Sequence, residues 1–499
     1  MSDLGAQLRQ YLDETAPPVE LEEILTQRIG LEQVRPIADR VARRRWPGWA
    51  IGLAAAVAVL LLAGGVAWLA GSLGRESTPV ISPIPVPQTP TPTTTAAAAA
   101  SFPEAGPLGA VVVEPREAIQ LRTLQMITGA AEFIGHDQVR GVELAVEDFG
   151  DVLGHPVELG QPWDSFCGDE GSSRGAREIV AEPDVLAVIG TTCSYPGAAG
   201  TASQILSQAG LILFSGSHMS PAMTSDMQGN AGTAWQPGYY RTAPSDLVQG
   251  AIAATFVIEE LGLTRAAVIH DNGGRLGDSE ELGQAFADSF ESQGGTITAI
   301  REVRIEDQDM VPLLTEIADG KPEVIYLPIH QPTADFILLQ LGDVAGLDEV
   351  VLIGADALLW WYGESFISIP ESEGMYFSGP AVPQAGNVGL TGTTYDELAS
   401  RYQTTYREAP STPLFAYAYD ATMILLSAIE QVAIENPDGT LFIDRQALRD
   451  ALYATVNFPG VTGTLSCDQF GDCGSQAVAV YFHEDATQPE LAQQNVVFP

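Results

Sequence analysis

The chain has 499 residues, 45% of them hydrophobic, which is too long for one hydrophobic core and predicts at least two folded units. Its 64 acidic side chains against 23 basic ones give a formal net charge of −41. Binding to nucleic acid requires clustered lysine and arginine side chains, so this charge argues against a nucleic-acid partner.

An uncharged run from Trp46 to Gly74 exceeds the roughly 20 residues that cross a bilayer as a helix. Arg43, Arg44 and Arg45 precede it directly, and basic residues mark the cytoplasmic flank of a membrane helix. The run therefore predicts an uncleaved single-pass anchor at residues 46–74, with residues 1–45 in the cytoplasm and the remainder outside the cell membrane. A cleaved signal peptide is the alternative, and it fits poorly because the run is long and starts far from residue 1.

Residues 75–105 contain seven prolines among threonines and alanines. This composition cannot bury a core and favours extended polyproline II segments, so we expect a tether. Residues 1–45 are too few for an ordinary catalytic domain, and we interpret them as a solvated segment, with contact to a partner protein as the alternative.

From Gly106 onward, apolar strands alternate with amphipathic helices. Examples are VLAVIG followed by PGAAGTASQIL, and AAVIH followed by SEELGQAFADSFESQG. This alternation predicts parallel sheets joined by right-handed crossovers. The segment 106–499 is too long for one sheet, so we expect an α/β domain of two lobes. Ligands in such folds bind beyond the carboxyl ends of the strands.

The chain contains four cysteines, all in the part predicted to lie outside the membrane, where disulfides persist. Cys467 and Cys473 flank DQFGD, a turn between the expected strands TGTLS and AVAVYF, which predicts a local hairpin disulfide. Cys167 and Cys193 then remain, each following a strand. A zinc site is the alternative, but these spacings lack the short Cys or His pairs of structural zinc, and we predict no metal.

The stretch VIGTTCSYPGAAG, residues 188–200, runs from an apolar strand into a polar loop and then a helix. Pro196 suits the first turn of that helix, which places Ser194 or Tyr195 at the cap. Unpaired N–H groups and the positive end of the helix dipole would then face the strand ends, forming a site for a carboxylate. The alternative role of Ser194 is a plain helix cap.

Two further strand ends resemble this one. GLILFSGSHMSPAMT, residues 210–224, ends in a small polar loop, and Pro221 is expected to open a helix. VVLIGADALLWWYG, residues 350–363, places Asp356 just past a strand. An anion site in one lobe and a carboxylate in the other suit a zwitterion, whose ammonium needs an acid. The alternative role of Asp356 is an N-cap.

Residues 118–499 resemble the leucine/isoleucine/valine-binding protein family, the type I periplasmic binding proteins of ABC importers. The resemblance rests on the combination and order of several segments, which are ITGAAEFIGHDQVRGVELAVED, AVIGTTCS, LILFSGSHMSPAMT, YYRTAPSDLVQGAIAATF, AAVIHDNGG, QDMVPLLTEI, AYAYDATMILLSAIE and GVTGTLSCDQFGD. It implies a two-lobed clamp that closes on a small ligand, with three chain crossings between the lobes. Lobe 1 would comprise about 118–247 and 380–476, and lobe 2 about 248–379 and 477–499.

The resemblance also implies roles for individual residues. Cys167 and Cys193 match the disulfide of the family, and Ser194 matches the serine that binds the amino-acid carboxylate. Ser217, His218 and Met219 fall on the loop that contacts both charged poles of the ligand. Asp356 falls where the family often has a glutamate for the ammonium.

This sequence departs from the family pattern at several pocket positions. Met219 stands where the family has a threonine, so one hydroxyl ligand is missing and the backbone N–H remains. Aromatic positions of the family correspond to Ile134, to Arg275 or Leu276, and to Ile329 or His330. The ligand could accordingly be a branched-chain amino acid, another amino acid, an amide or a different small carboxylate.

These observations predict a membrane-tethered solute-binding protein of an ABC importer, without a cofactor, whose permease and ATPase are separate chains. One alternative is a sensor ectodomain that signals through a partner chain. A hydrolase is a further alternative, but the sequence contains no GxSxG elbow, phosphate-binding GxxxxGK[ST] loop or HExxH motif. We therefore expect no enzymatic activity.

Overall fold

The computed structural model describes residues 102–129, 132–272, 279–305, 307–360, 365–381 and 387–499. The predicted cytoplasmic segment, the predicted membrane helix and nearly all of the predicted tether lie outside these residues. Within the described ranges, none of the helices combines the length and apolarity needed to cross a bilayer. Residues 96–499 form one compact unit.

The described part of this unit is built from alternating strands and helices. In chain order, the strands are β1 (Ala110–Val113), β2 (Ile119–Gln125), β3 (Val157–Glu158), β4 (Trp163–Asp164), β5 (Val185–Gly190), β6 (Ile212–Ser215), β7 (Tyr239–Arg241), β8 (Arg265–Asp271), β9 (Thr296–Val303), β10 (Val324–Leu327), β11 (Val351–Gly354), β12 (Tyr376–Pro380), β13 (Ile434–Glu435), β14 (Leu441–Asp444), β15 (Phe458–Gly460), β16 (Gly463–Leu465), β17 (Val478–Phe482) and β18 (Val496–Phe498). The α-helices are α1 (Glu132–Phe149), α2 (Asp169–Ala181), α3 (Pro196–Gln208), α4 (Asp246–Glu259), α5 (Glu280–Ser292), α6 (Val311–Asp319), α7 (Thr333–Gln340), α8 (Asp356–Trp360), α9 (Tyr395–Tyr406), α10 (Leu414–Val432) and α11 (Arg445–Tyr453).

Lobe 1 surrounds a parallel sheet with the strand order β3-β2-β5-β6-β7, and β4 pairs with β2 as well. All six residues of β5 are buried, as expected for a parallel strand that helices cover on both faces. A small antiparallel sheet, β1-β14-β13, and the hairpin β15-β16 complete the pairing in this lobe.

Lobe 2 surrounds a seven-stranded sheet with the order β18-β17-β12-β11-β10-β8-β9. Its strands are parallel except at one edge, where β17 lies antiparallel to both β12 and β18. Comparing the two sheets with the chain order shows that the chain passes from one lobe to the other three times. The predicted α/β architecture with parallel sheets is confirmed.

The helix expected at Pro221 is wrong, because only a three-residue 3₁₀ turn, Pro221–Met223, forms there. The carbonyl oxygens that a longer helix would use are already occupied. Ala222 O accepts the N–H of Ala234 at 2.9 Å, and Thr224 O accepts the N–H of Gly232 at 2.9 Å. The chain that returns toward β7 therefore replaces the second helical turn.

The prediction that TGTLS and AVAVYF form a hairpin is also wrong, because these two strands do not pair with each other. The first strand is β16, which pairs with β15, whereas the second is β17, which pairs along five residues with β12 in lobe 2. The turn that contains Cys467 and Cys473 therefore lies just before a crossing between lobes. Sequence spacing identified both strands but could not show that they belong to different sheets.

Both predicted disulfides are present, Cys167 with Cys193 and Cys467 with Cys473. Their Cα atoms lie 5.4 Å and 3.7 Å apart. This pairing leaves no thiolate for the zinc alternative. Among the described residues, no group of three or more His, Cys, Asp or Glu side chains is arranged to hold a metal ion.

Candidate functional site: a cavity between the lobes

A cavity lies between the carboxyl ends of the strands of both sheets. The space between its walls, including the part that is open to solvent, amounts to about 610 Å³. Its described polar lining comprises Ser194, Ser217, Ser220, Asp246, Ser279, Glu281, His330 and Asp356. Apolar contributions come from Pro196, Met219, Leu282, Pro328, Ile329, Ala355 and Ala357.

The lobe 1 wall is formed by the loop between β5 and α3. Tyr195 is the N-cap residue of α3 and Pro196 is its first residue, so the predicted helix start is confirmed. Ser194 Oγ accepts a hydrogen bond from Met219 N at 3.0 Å. The hydroxyl proton of Ser194 can therefore be donated to a ligand, and the first N–H groups of α3 have no partner within the helix.

The loop after β6 forms the adjacent part of the lobe 1 wall. Ser217 Oγ donates to Thr192 O at 2.7 Å, which ties this loop to the one that carries Ser194. Because Ser194 Oγ and Met219 N are bonded to each other, a ligand carboxylate that bound both groups would have to replace this hydrogen bond.

The lobe 2 wall carries Asp356, the first residue of α8, directly beyond β11. Its side chain is buried and Oδ1 accepts a hydrogen bond from Gln249 Nε2 at 3.0 Å. Burial is the main reason that the pKa of Asp356 is raised, although the Gln249 hydrogen bond opposes the shift. A positive charge in the cavity would restore the electrostatic stabilisation that burial removes.

A second carboxylate of the cavity, Asp246, was missed by the sequence analysis. It is the first residue of α4, whose N-cap Ser245 accepts the N–H of Leu247. Burial, followed by repulsion from Asp356 and Glu281, raises the pKa of Asp246 to about 8. The available signal was its position a few residues beyond the YYR strand, within one of the segments that resemble the family.

A third carboxylate, Glu281, was also missed. It lies at the start of α5 in lobe 2, and its Oε2 accepts a hydrogen bond from Ser220 Oγ of lobe 1 at 2.5 Å. This contact joins the two lobes across the cavity. No local sequence pattern marks it, because the pairing exists only once the lobes face each other.

Six of the nine predicted binding residues line the cavity, namely Ser194, Ser217, Met219, Ile329, His330 and Asp356. His330 Nδ1 lies 3.0 Å from Asp271 Oδ2, which holds the imidazole in the lobe 2 wall. The predicted alternatives Arg275 and Leu276 lie outside the described residues.

The other three predicted residues, Tyr195, His218 and Ile134, are not among the cavity lining. Tyr195 is 37% exposed and borders a surface depression beside Phe166 and Arg174. Ile134 packs with Cys167 and Cys193 in a separate apolar cluster. Ile134 lies within α1 and Tyr195 is the N-cap of α3, and sequence spacing does not show which way their side chains face.

His218 lies beneath the cavity and is fully buried. Its Nε2 lies 2.9 Å from Thr191 Oγ1, and its Nδ1 lies 2.7 Å from the Tyr239 hydroxyl. Burial lowers the pKa of His218 to about 3, and the positive charge of Arg241 contributes to the shift. His218 is therefore a neutral support of the loop rather than a cavity residue.

Comparison with known proteins assigns the family. The sequence pattern of the family described as periplasmic binding protein matches residues 119–481. The chain belongs to this family. The resemblance inferred from the sequence segments is confirmed, and because the family consists of solute-binding proteins rather than enzymes, the chain is a binding protein and not an enzyme.

Two similar proteins illustrate the sequence relationship. The Leu/Ile/Val-binding protein BraC3 of Rhizobium johnstonii is 24% identical over 374 residues, which cover 73% of this chain and 91% of that protein. A leucine-, isoleucine-, valine-, threonine- and alanine-binding protein of Pseudomonas aeruginosa is 25% identical over 391 residues, covering 75% and 92%.

Solved structures show the same fold. A leucine-binding protein of Thermotoga maritima is 24% identical, with a TM-score of 0.59, covering 77% of this chain and 98% of that chain. A solute-binding protein of R. palustris in complex with benzoate is 18% identical, with a TM-score of 0.57, covering 74% and 94%. At these identities the match establishes a type I periplasmic-binding-protein fold.

Proposed function

We propose that the chain is a membrane-tethered solute-binding protein of an ABC importer, which captures a small zwitterionic amino acid between its lobes. The observation that carries the proposal is that anion-binding groups and a carboxylate lie on facing walls of the cavity. Lobe 1 presents Ser194 and the start of α3, whereas lobe 2 presents Asp356. The names of the relatives, which state binding of leucine, isoleucine and valine, support the same ligand class.

The carboxylate pole of the ligand would lie against lobe 1. A helix N-terminus attracts anions through its unpaired N–H groups and its dipole, and α3 has 13 residues. The Ser194 hydroxyl adds one more donor. None of the described residues that line the cavity is a lysine or arginine, so these neutral donors would hold the carboxylate.

The ammonium pole would lie between Asp356 and Asp246. Asp356 and Glu281 both raise the pKa of Asp246 by repulsion, so the three carboxylates are close enough to interact. An ammonium placed among them would relieve that repulsion. Leu282, Ile329 and Met219 offer apolar surface for an aliphatic side chain.

A thermal-shift screen tests this proposal. The compact unit, residues 96–499, would be melted with each standard amino acid, with simple amides and with small carboxylates. A ligand that binds only the folded state raises the melting temperature, and at 100 times its dissociation constant it stabilises by about 2.7 kcal/mol. We expect at least one amino acid to raise it, whereas a shift given only by carboxylates without an amino group would contradict the proposal.

Ser194→Ala is expected to weaken binding of the amino acid found in that screen by about 1 to 3 kcal/mol. The loss is limited because the N–H groups of α3 remain in place. Ser207→Ala, in the same helix, is the matched control, since Ser207 Oγ donates to Pro237 O and lies away from the cavity. Calorimetric titration of both variants measures the difference, and equal affinities would remove Ser194 from the site.

The proposed anchor at residues 46–74 predicts a defined topology. Protease added to intact cells should cut within the proline-rich tether, residues 75–105, and release a fragment that contains the binding domain. A partner permease would then meet this domain at the outer face of the membrane, and the ATPase would be a further separate chain on the cytoplasmic side. Protection of the entire chain from protease would contradict the proposed orientation.

A further inference from the structure

Arg241, the last residue of β7, is fully buried directly behind the cavity. Its Nη1 donates to Met219 O and to Ser220 O, both at 2.9 Å. Met219 and Ser220 line the cavity, but Arg241 does not. One guanidinium therefore holds the carbonyl groups of two successive residues of the wall.

The other side of the same guanidinium binds Asp472. Asp472 Oδ2 accepts from Arg241 Nη2 at 2.5 Å and from Nε at 3.2 Å. Asp472 belongs to the disulfide loop, which we define as residues 467–473, closed by the Cys467–Cys473 bond. Backbone bonds strengthen this contact, because Arg241 N donates to Gly471 O and Cys473 N donates to Arg241 O, each at 2.9 Å.

The disulfide loop also reaches the start of α4 through Gln476. Gln476 Nε2 donates to Asp472 Oδ1 at 2.7 Å, while its Oε1 accepts the N–H of Ser245 at 2.9 Å. Ser245 is the N-cap of α4, and the next residue, Asp246, lines the cavity. Asp246 N in turn donates to Met219 O at 2.9 Å, so the chain of contacts returns to a carbonyl group that Arg241 binds.

We propose that the disulfide loop sets ligand affinity through Arg241, as a positioning element for Met219, Ser220 and Asp246, although none of its residues lines the cavity. This inference rests on the proposed function for the part that concerns affinity. Its physical basis is that a buried arginine presents five N–H donors in a fixed planar arrangement, whereas an ammonium presents three rotatable donors from a single atom.

Loss of the Arg241 and Asp472 charges is expected to loosen the wall without unfolding the protein. Removing both members of a buried pair avoids an unpaired buried charge, which is the main cost of removing one. Met219 O and Ser220 O would keep the N–H groups of Asp246 and Met223 as donors. In the double variant Arg241→Met/Asp472→Asn, the new asparagine would still accept the hydrogen bond from Gln476.

The test compares this double variant with the wild-type full-length chain in two measurements. Hydrogen–deuterium exchange of the ligand-free proteins reports how fast the amides of residues 217–224 open, and calorimetry with the twenty standard amino acids as probes gives affinities. We expect exchange in this segment to accelerate, and binding to weaken by about 10-fold to 100-fold, with little change in the melting temperature.

Arg122→Met/Glu182→Gln is the matched control, because Arg122 is also buried and its Nε lies 2.7 Å from Glu182 Oε2 in lobe 1. In this control variant, the exchange of residues 217–224 and the affinity for amino acids should equal those of the wild type. If the first double variant fails to fold, Arg241→Lys takes its place, because it retains the positive charge but loses the planar guanidinium donors. Faster exchange in residues 217–224 and weaker binding are expected for it as well.

Unchanged exchange in residues 217–224 of the folded Arg241 variant would overturn the inference. So would unchanged affinity for an amino acid that the wild type binds. Failure of the proposed function looks different, since the wild type itself would then bind none of the twenty amino acids. In that case the exchange measurement alone decides whether the disulfide loop positions the wall.

Discussion

Asp356→Ala is expected to weaken binding of a zwitterionic amino acid by a factor of about 30 to several thousand. Truncating one member of a buried charge pair leaves the other unpaired, and in the closed cavity the ligand ammonium would lose its partner on α8. Calorimetric titration of the wild type and the variant measures the ratio of dissociation constants. Asp319→Ala, at the exposed end of α6, is the control and should bind normally.

An analogue of the ligand without its amino group sharpens this experiment. The analogue should bind wild type and Asp356→Ala with similar affinity, because the missing interaction is the same in both. A full loss for the analogue as well would assign the effect of the substitution to a disturbed cavity. Unchanged affinity for the intact amino acid would remove Asp356 from the site and contradict the zwitterion proposal.

Asp246 is expected to make the ligand-free protein less stable as the pH rises. Its pKa is raised from 3.8 to about 8, so the folded state binds the proton more tightly than the unfolded state does. The resulting stabilisation is present at low pH and is lost between about pH 4 and pH 8. Asp246→Asn removes the titrating group, so its advantage over the wild type in melting temperature should grow from pH 5 to pH 8.

Comparing the two proteins at each pH removes the contributions of carboxyl groups that do not interact with Asp246. Burial also raises the pKa values of Asp137 and Asp420 to about 6, but both groups are present in the wild type and the variant, so their effects cancel. Binding should show the opposite trend, since an ammonium pairs with the ionised form of Asp246. A melting-temperature difference that does not change with pH would contradict the raised pKa.

The cavity was predictable to the extent that it depends on strand ends. Pro196 marked the start of a helix beyond β5, and Asp356 followed β11, so both walls could be located from short patterns. The carboxyl ends of parallel strands meet at one edge of a sheet, which is why neighbouring loops in the sequence converge in space. Cysteine positions also predicted both disulfides, because Cys167 and Cys193 each follow a strand, whereas Cys467 and Cys473 are separated only by a short turn.

The unpredicted parts of the site depend on contacts between distant segments. Glu281 meets Ser220 across the lobes, and Arg241 meets Asp472, which is 231 positions away in the sequence. His218 is a polar residue on the loop that was predicted to contact the ligand. Hydrogen bonds to Thr191 and Tyr239 nevertheless hold its side chain beneath the cavity wall. Local patterns contain no information on which side of a loop a side chain faces.

Titration of the wild-type protein with three related compounds tests the central claim most directly. The compounds are the amino acid selected by thermal shift, the matching carboxylic acid without its amino group, and the matching amine without its carboxylate. We expect the amino acid to bind most tightly and each analogue to bind at least about 30-fold more weakly, since each leaves the binding groups of one cavity wall without their partner on the ligand. An analogue that binds as tightly as the amino acid would contradict capture of a zwitterion between the lobes.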